Sequence, residues 1–526
     1  MGTVTISPVD LVIIGLYLVI IIWWGLRHGK SSDAGSYFLA GRSMSWWVVG
    51  LSLFAASISS TTLIGQSGDA YHTGLAVFNY NLIGVVVMVF FATFLLPLYI
   101  KSGIFTIPEF LEKRFDKRSR YYFSAICIIG NIFLDAAGAL YAAALIIKLI
   151  FPSASLTLII FIFAVLAASY TIPGGLSSAI NAELVQAIIL VVGSIILTIV
   201  ISAKGGMDYF LELYRNSDTS VRLVRPLSDS ATPWLGLLVG MPITGIYFWA
   251  NNQTLVQRVL SAKSVDEGRK GVMFTGFLTL LTLFIIAVPG LMARHFFPGA
   301  EKPDMIYPLM VMKLLPIGLL GIMLSALLAA LTSTISAIMN STSTLFTMDF
   351  YAKLHPGADS RKLVRTGKIT ALIVILIAAL WAPQIGRFGS LLKYYQEMLS
   401  YIAPPIVAAF LLGIFTKRVN GKGAFWGLMA GLAMAVVMMV ERRAIFGEMH
   451  FLFIIPILLV SSMAVMLGVS LLTGRPSPDR LQDTVFSLKD FRAEGRSLRA
   501  GKWWQNYRVW GGALLASCVV LLIVFS

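Results

Sequence analysis

Three stretches of this chain place hydroxyls, amides and helix-breaking residues inside otherwise apolar sequence. The first runs Ala55-Ala56-Ser57-Ile58-Ser59-Ser60-Thr61-Thr62, followed by Gly65-Gln66-Ser67-Gly68. The second holds Gly240-Met241-Pro242, Gly245 and Trp249-Ala250-Asn251-Asn252-Gln253. The third holds Thr332-Ser333-Thr334, Ser336 and Asn340-Ser341-Thr342-Ser343-Thr344. Polar groups in hydrocarbon are costly unless paired, so such runs face other helices or a wet cavity. An interrupted helix frees carbonyls, and several converging neutral oxygens can hold a hard cation such as sodium. Small hydroxyl residues serve equally well to pack helix against helix, bonding to a carbonyl one turn back. The pattern alone leaves both readings open. Two carboxylates, Asp135 and Glu183, also fall in apolar stretches, where an ionisable side chain is a functional candidate. For Glu183, which follows Pro173-Gly174-Gly175, a cap near a helix start is the competing reading.

The elements that must carry these residues follow from composition. Of 526 residues, 57% are apolar and only 13% charged, against roughly 25% charged in soluble chains. Soluble enzymes, disordered tails and nucleic-acid binders are excluded on that ground. The net charge of +16 has a simple source if Lys and Arg gather in cytoplasmic loops. A membrane-crossing helix needs about 20 mainly apolar residues. That rule gives fourteen segments, near 9–27, 46–68, 76–100, 121–150, 156–172, 176–203, 234–256, 271–293, 316–347, 368–384, 394–416, 422–441, 450–473 and 509–526. The first lacks a basic stretch before it and a small-residue cleavage site after it, so it reads as a retained span. The connections on one side carry 29 Lys and Arg and those on the other 12. The basic set should face the cytoplasm of a cell (inner or plasma) membrane, with both termini outside. Cys127 and Cys518 form no motif, and the five histidines form no metal-ligand pair.

The second and seventh segments are the polar or Gly/Pro-interrupted ones, five apart. Matched interruptions are the mark of inverted repeats that each open with a broken helix. The expected organisation is a first helix and loop in 1–45, one repeat in 46–203, a loop in 204–233, a second repeat in 234–416 and three peripheral helices in 417–526.

Several motifs then resemble the sodium/solute symporter family, to which the sodium/glucose cotransporters belong. Tyr170-Thr-Ile-Pro-Gly-Gly-Leu-Ser-Ser178 looks like one family signature. Gly413-Ile-Phe-Thr-Lys-Arg418, continuing through Gly423-Ala424 to Gly427 and Gly431, looks like another. Tyr37-Phe-Leu-Ala-Gly-Arg42, Thr106-Ile-Pro-Glu-Phe110, Gln257-Arg258 and Asn340 to Asp349 match as well. The resemblance implies an all-α integral membrane protein of about fourteen spans with a leucine-transporter-like, five-plus-five inverted-repeat core. It implies a sodium ion between the second and ninth spans, held by the carbonyls of Ala55, Ile58 and Ala330 and the hydroxyls of Ser333 and Thr334. Ala330, Ser333 and Thr334 do share one helical face. A second sodium at Glu183 and Ser336 is less well supported, because Ala337 stands where another Ser is expected and Glu183 is longer than the family's Asp.

The positions matching the family's solute pocket are Ser57, Thr62, Asn81, Gly84, Gly245, Thr279 and Gln396, with Tyr80, Phe248 and Trp249 as flanking or gating aromatics. Asn252 would brace the unwound helix. Only Gln396 keeps the residue of the sodium/galactose branch. Thr62 and Asn81 are closer to the sialic-acid branch, but that branch's arginine is missing from the segment Phe133-Leu134-Asp135-Ala136-Ala137. Asp135 would accept hydrogen bonds from hydroxyls and repel a free carboxylate, which favours a neutral sugar or polyol; the competing reading is that it only braces the bundle. The expected function is sodium-coupled uptake of a small polar solute by alternating access, by a monomer in the lipid bilayer, with no organic cofactor, no catalytic residues and no nucleic-acid partner. Sugar acids, or a sensor or channel on the same scaffold, are the rivals.

Overall fold

The computed structural model describes residues 6–27, 34–58, 61–150, 153–229, 231–300, 302–385, 391–441, 447, 449–500 and 502–526. It is helical throughout, with no β-strand among those residues. In chain order the helices are α1 Pro8–Arg27, α2 Trp46–Ser57, α3 Thr62–Thr73, α4 Leu75–Lys101, α5 Ile107–Arg114, α6 Lys117–Leu145, α7 Leu156–Pro173, α8 Gly175–Arg215 and α9 Trp234–Ile246. There follow α10 Gln253–Leu260, α11 Val265–Phe296, α12 Leu319–Leu354, α13 Ser360–Ile385, α14 Tyr395–Phe415, α15 Gly421–Val440, α16 Phe451–Thr473, α17 Leu488–Ala500 and α18 Tyr507–Val524. Eleven of the described helices are long and apolar enough to cross a membrane, and twelve if α2 and α3, bent by 64°, form one span. Each of the fourteen sequence segments overlaps described helix, but α1 and the α9/α10 pair lie outside that length-and-hydropathy test.

The centre of the molecule is α12, in which every residue from Met323 to Leu345 is buried. Asp10 of α1 holds its start, accepting from the Gly318 and Gly321 amides at 2.8 and 2.7 Å. These are orphan donors of a helix N-terminus, and a carboxylate is their natural partner. The α12 hydroxyls largely bond other helices. Thr332 accepts from Gln186 of α8 at 2.9 Å, Ser336 from Thr171 of α7 at 2.8 Å, and Ser341 and Thr342 from Asn131 of α6 at 3.1 and 3.0 Å. For these residues the packing reading of the polar run holds. Gly175, at φ 63°, separates α7 from α8 and lets Tyr37 pack against the break, where a Cβ would lie 2.6 Å from the Tyr37 ring. Exposed apolar side chains such as Leu16, Val165, Leu380, Val437 and Val519 band the outer helices, as a lipid-facing surface requires.

Four arginines that the sequence places in connecting segments, Arg114, Arg120, Arg258 and Arg269, are buried instead. Arg114 donates to the carbonyls of Gly413, Thr416 and Val419 at 2.7, 2.9 and 3.1 Å, closing the end of α14. Arg120 pairs with the buried Asp349 at 2.5 Å. Arg258 is fully enclosed at the start of what was read as a loop. Charge counting sees a Lys or Arg near a span end; it cannot see the carbonyl or carboxylate that draws it inward.

Candidate functional site

Helix α2 stops at Ser57, and Ile58 adopts an extended conformation (φ −92°, ψ 91°) before the chain resumes in a π-helical turn over Thr61–Gly65. The last carbonyls of a helix lack intrahelical partners, so this break supplies backbone oxygen in the middle of the bundle. Facing it on α12 are Ser333 and Thr334. Ser333 and Thr334 each donate back to the Ala330 carbonyl at 2.9 Å. Ser333 Oγ also lies 3.4 Å from the Ala55 carbonyl. With their hydrogens directed at Ala330, both hydroxyl oxygens keep lone pairs for a cation. As a fifth ligand, the Ala330 carbonyl would have to release at least one of those donors. Ala55, Ala330, Ser333 and Thr334 are therefore brought together, and Ile58 and Thr334 border the adjoining cavity.

That cavity, of about 180 Å³, is lined by the polar solute-pocket candidates Ser57, Thr62, Asn81, Asp135 and Gln396. Gly84, Gly245, Thr279, Tyr80, Phe248, Trp249 and Asn252 line it too. Its size suits a small solute rather than the drug-sized ligands of pockets of roughly 300–1,000 Å³. Three wall segments are π-helical turns: Thr61–Gly65, Asn131–Ala136 with Asp135, and Tyr247–Asn251 with Phe248 and Trp249. Such turns concentrate at functional sites because they re-aim side chains within a helix. Phe248 and Trp249 meet edge to face, with ring centroids 5.1 Å apart. The Trp249 indole rests on Gly84, where an added Cβ would sit 2.7 Å from Nε1. Asn252 does more than brace. It separates α9 from α10 at ψ 117° and caps α10, accepting from the Thr254 amide at 2.8 Å.

Two polar groups have their hydrogen-bonding sense fixed by neighbours that the sequence reading missed. Thr282 gives its hydroxyl hydrogen to the Thr279 carbonyl at 2.6 Å, so its oxygen can only accept. The Asn81 group 3.1 Å away must then be the amide nitrogen, whose other hydrogen goes to Gln66 Oε1 at 3.0 Å. Both Asn81 donors are used, leaving its carbonyl oxygen as the atom that can meet a solute. Asp135 accepts a hydrogen bond from the Tyr395 hydroxyl. The pocket thus offers acceptors at both positions. Gln66 was visible as part of the polar run, and Tyr395 as the neighbour of Gln396; Thr282 carried no signal in its apolar surroundings.

The Glu183 carboxylate is engaged by two neighbours. Arg258 Nη2 lies 2.5 Å from Oε1 and Nε donates to Oε2 at 3.3 Å, while Ser52 donates its hydroxyl to Oε2. Both charged partners are fully buried. Ser336, the other proposed member of a second cation site, is engaged with Thr171.

Among known proteins, the sodium:solute symporter family model matches residues 37–431. The chain is 36% identical to solute carrier family 5 member 4 of Rattus norvegicus, over 94% of this chain and 82% of that protein. It is 35% identical to sodium/glucose cotransporter 1 of Sus scrofa, over 94% of this chain and 83% of that protein. Its fold is similar to that of a Na+-coupled sialic acid symporter solved in a substrate-bound, outward-open state, with TM-score 0.79, 23% identity, and coverage of 89% of this chain and 99% of that one. A nucleobase–cation symport transporter in a closed conformation superposes with TM-score 0.54 at 15% identity, covering 84% of this chain and 94% of that one. The chain belongs to the sodium:solute symporter family.

Proposed function

We propose that this protein couples the inward movement of sodium to uptake of a small neutral polyhydroxyl solute, a sugar or polyol, by alternating access. The observation that carries this is the shared wall: Ile58 and Thr334, from the cation set, line the same cavity as Ser57 and Thr62. A cation at the α2 break would fix α2 against α12 and so complete the solute pocket. Coupling of that kind is reciprocal, sodium tightening solute and solute tightening sodium. The matched breaks at Ile58 and at Asn252 support two inverted repeats, 46–203 and 234–416, within fourteen crossings. Loop charge supports extracytoplasmic termini, and one copy holds every element of the site. One charge crossing 100 mV contributes about 2.3 kcal/mol, enough for a single sodium to concentrate a neutral solute.

The test is uptake into proteoliposomes of a panel of sugars, polyols, sugar acids and amino acids, with sodium or choline outside. Sodium-dependent accumulation of a neutral hydroxylated solute is expected. Equal uptake in choline removes the proposal, and absence of counterflow of labelled solute would turn it toward a channel.

Acceptors at Asn81 and Asp135 favour solutes that donate hydrogen bonds, and the Asp135 charge disfavours a carboxylate, which places sugar acids second. Asp135→Asn is therefore expected to shift the ratio of transport rates between neutral and acidic sugars by about tenfold, near 1.4 kcal/mol. Half-saturating sodium should stay within a factor of about two. An unchanged ratio with all constants reduced alike would assign Asp135 to bracing with Tyr395.

A further inference from the structure

The segment between α16 and α18 is rich in Lys and Arg and contains a helix with a divided surface. Ser487 caps α17, accepting from the Asp490 amide at 3.2 Å. One face is held against the bundle. Glu494 pairs with Arg269 of α11 and with Arg508 at 3.2 Å, and Phe491 lies under the Arg508 guanidinium at 4.0 Å. Phe491 also joins Phe94 and Phe486 at the end of α4. These contacts fix α17 beside the C-terminal part of α4 and the N-terminal ends of α11 and α18. Trp503 and Trp504, both exposed, and Trp510, whose Nε1 donates to the Trp504 carbonyl at 2.8 Å, follow at once. Aromatic residues of this kind mark the membrane–water interface.

The free side of α17 is asymmetric. Lys489, Arg492 and Arg496 recur at spacings of three and four, and all three are exposed. None of them takes part in a described ion pair or hydrogen bond among the described residues. Arg499 continues the spacing in sequence. Asp490 and Ser497 lie together on the other flank, seven residues apart. The basic flank adjoins exposed Leu488. We infer that this stripe is a docking surface for anionic phospholipid headgroups. The unpaired positive charges, their place at the interface and the neighbouring tryptophans are the features of an interfacial helix on a negatively charged leaflet.

The full-length protein is reconstituted into vesicles of phosphatidylcholine with or without phosphatidylglycerol, and the thermal unfolding midpoint is read in each. The anionic lipid is expected to raise the midpoint of the unaltered chain. The triple variant Lys489→Gln, Arg492→Gln, Arg496→Gln should lose more than half of that increment while matching the unaltered midpoint in phosphatidylcholine alone. A control triple, Arg361→Gln, Lys362→Gln, Arg365→Gln, and the charge-keeping triple Lys489→Arg, Arg492→Lys, Arg496→Lys should both retain it. Overturning results are an undiminished increment in the first triple, an equal loss in either control triple, or an equal increment from soluble glycerol phosphate without anionic lipid. Should the first triple unfold in phosphatidylcholine, the count of phosphatidylglycerol molecules retained on the double variant Arg492→Gln, Arg496→Gln decides instead, and a count equal to the unaltered chain's overturns the inference.

Discussion

Removing two oxygens, as Ser333→Ala with Thr334→Val, is expected to abolish sodium-driven accumulation while leaving a folded protein. Each hydroxyl facing a cation is comparable to a hydrogen bond to a charged group, about 1.5–3 kcal/mol. The pair together should raise half-saturating sodium by roughly 100-fold or more, beyond any working concentration. The folding cost is small because both hydroxyls bond only within their own helix, to Ala330, apart from the long approach of Ser333 to Ala55. The comparison that gives the result meaning is Ser341→Ala with Thr342→Val. Those hydroxyls hold Asn131 of α6, so their loss should lower the melting temperature and leave sodium dependence in place. Solute binding supplies a second readout. In the Ser333/Thr334 variant, sodium should no longer tighten solute, whereas the weak sodium-free affinity should persist. Retained sodium dependence in that variant would remove the cation from the α2 break.

The residues of this site show which parts of the reading sequence could support. The breaks after α2 and between α9 and α10 were legible because interrupting an apolar helix requires Gly, Pro and polar residues, and these stand out against Leu and Val. The hydroxyl run of α12 was legible as a run but not as a division of labour. Ser333 and Ser336 look alike in sequence, yet one faces the break in α2 and the other accepts from Thr171. Which way a hydroxyl points depends on the rotation of α12 against its packed neighbours, and no local pattern encodes that. The π-helical turns that aim Asp135 and Trp249 were likewise invisible, since one extra residue in a turn leaves the apolar pattern nearly unchanged. Buried arginines were misassigned for a related reason. Arg114, Arg120 and Arg258 stand near span ends, where a charge ordinarily meets water, and only the folded bundle reveals the carbonyls and carboxylates awaiting them.

Glu183→Ala is expected to destabilise the protein by about 3–5 kcal/mol, the penalty for leaving a buried charge without its partner. Arg258 donates to both carboxylate oxygens and to the Thr254 carbonyl at 2.6 Å, with no solvent to replace them. The pair also has a mechanical position. Glu183 stands on α8, Arg258 on α10 just after the break at Asn252, and Ser52, which donates to Glu183, on α2 just before the break at Ile58. One ionic junction therefore ties both interrupted helices to a continuous one. Replacing the whole pair with apolar residues of similar size, Glu183→Leu with Arg258→Met, should recover most of the lost stability, because no charge is then left buried. Ser52 can turn back to a carbonyl of its own helix. Sodium titration of that double variant separates two roles. If Glu183 braces the junction, half-saturating sodium and the steepness of the response match those of the unaltered chain. If Glu183 instead holds a second sodium during the cycle, the double variant folds but responds to sodium less steeply. The closed geometry of the Arg258 pair favours the first outcome, and a flattened sodium response in a fully stable double variant would overturn it.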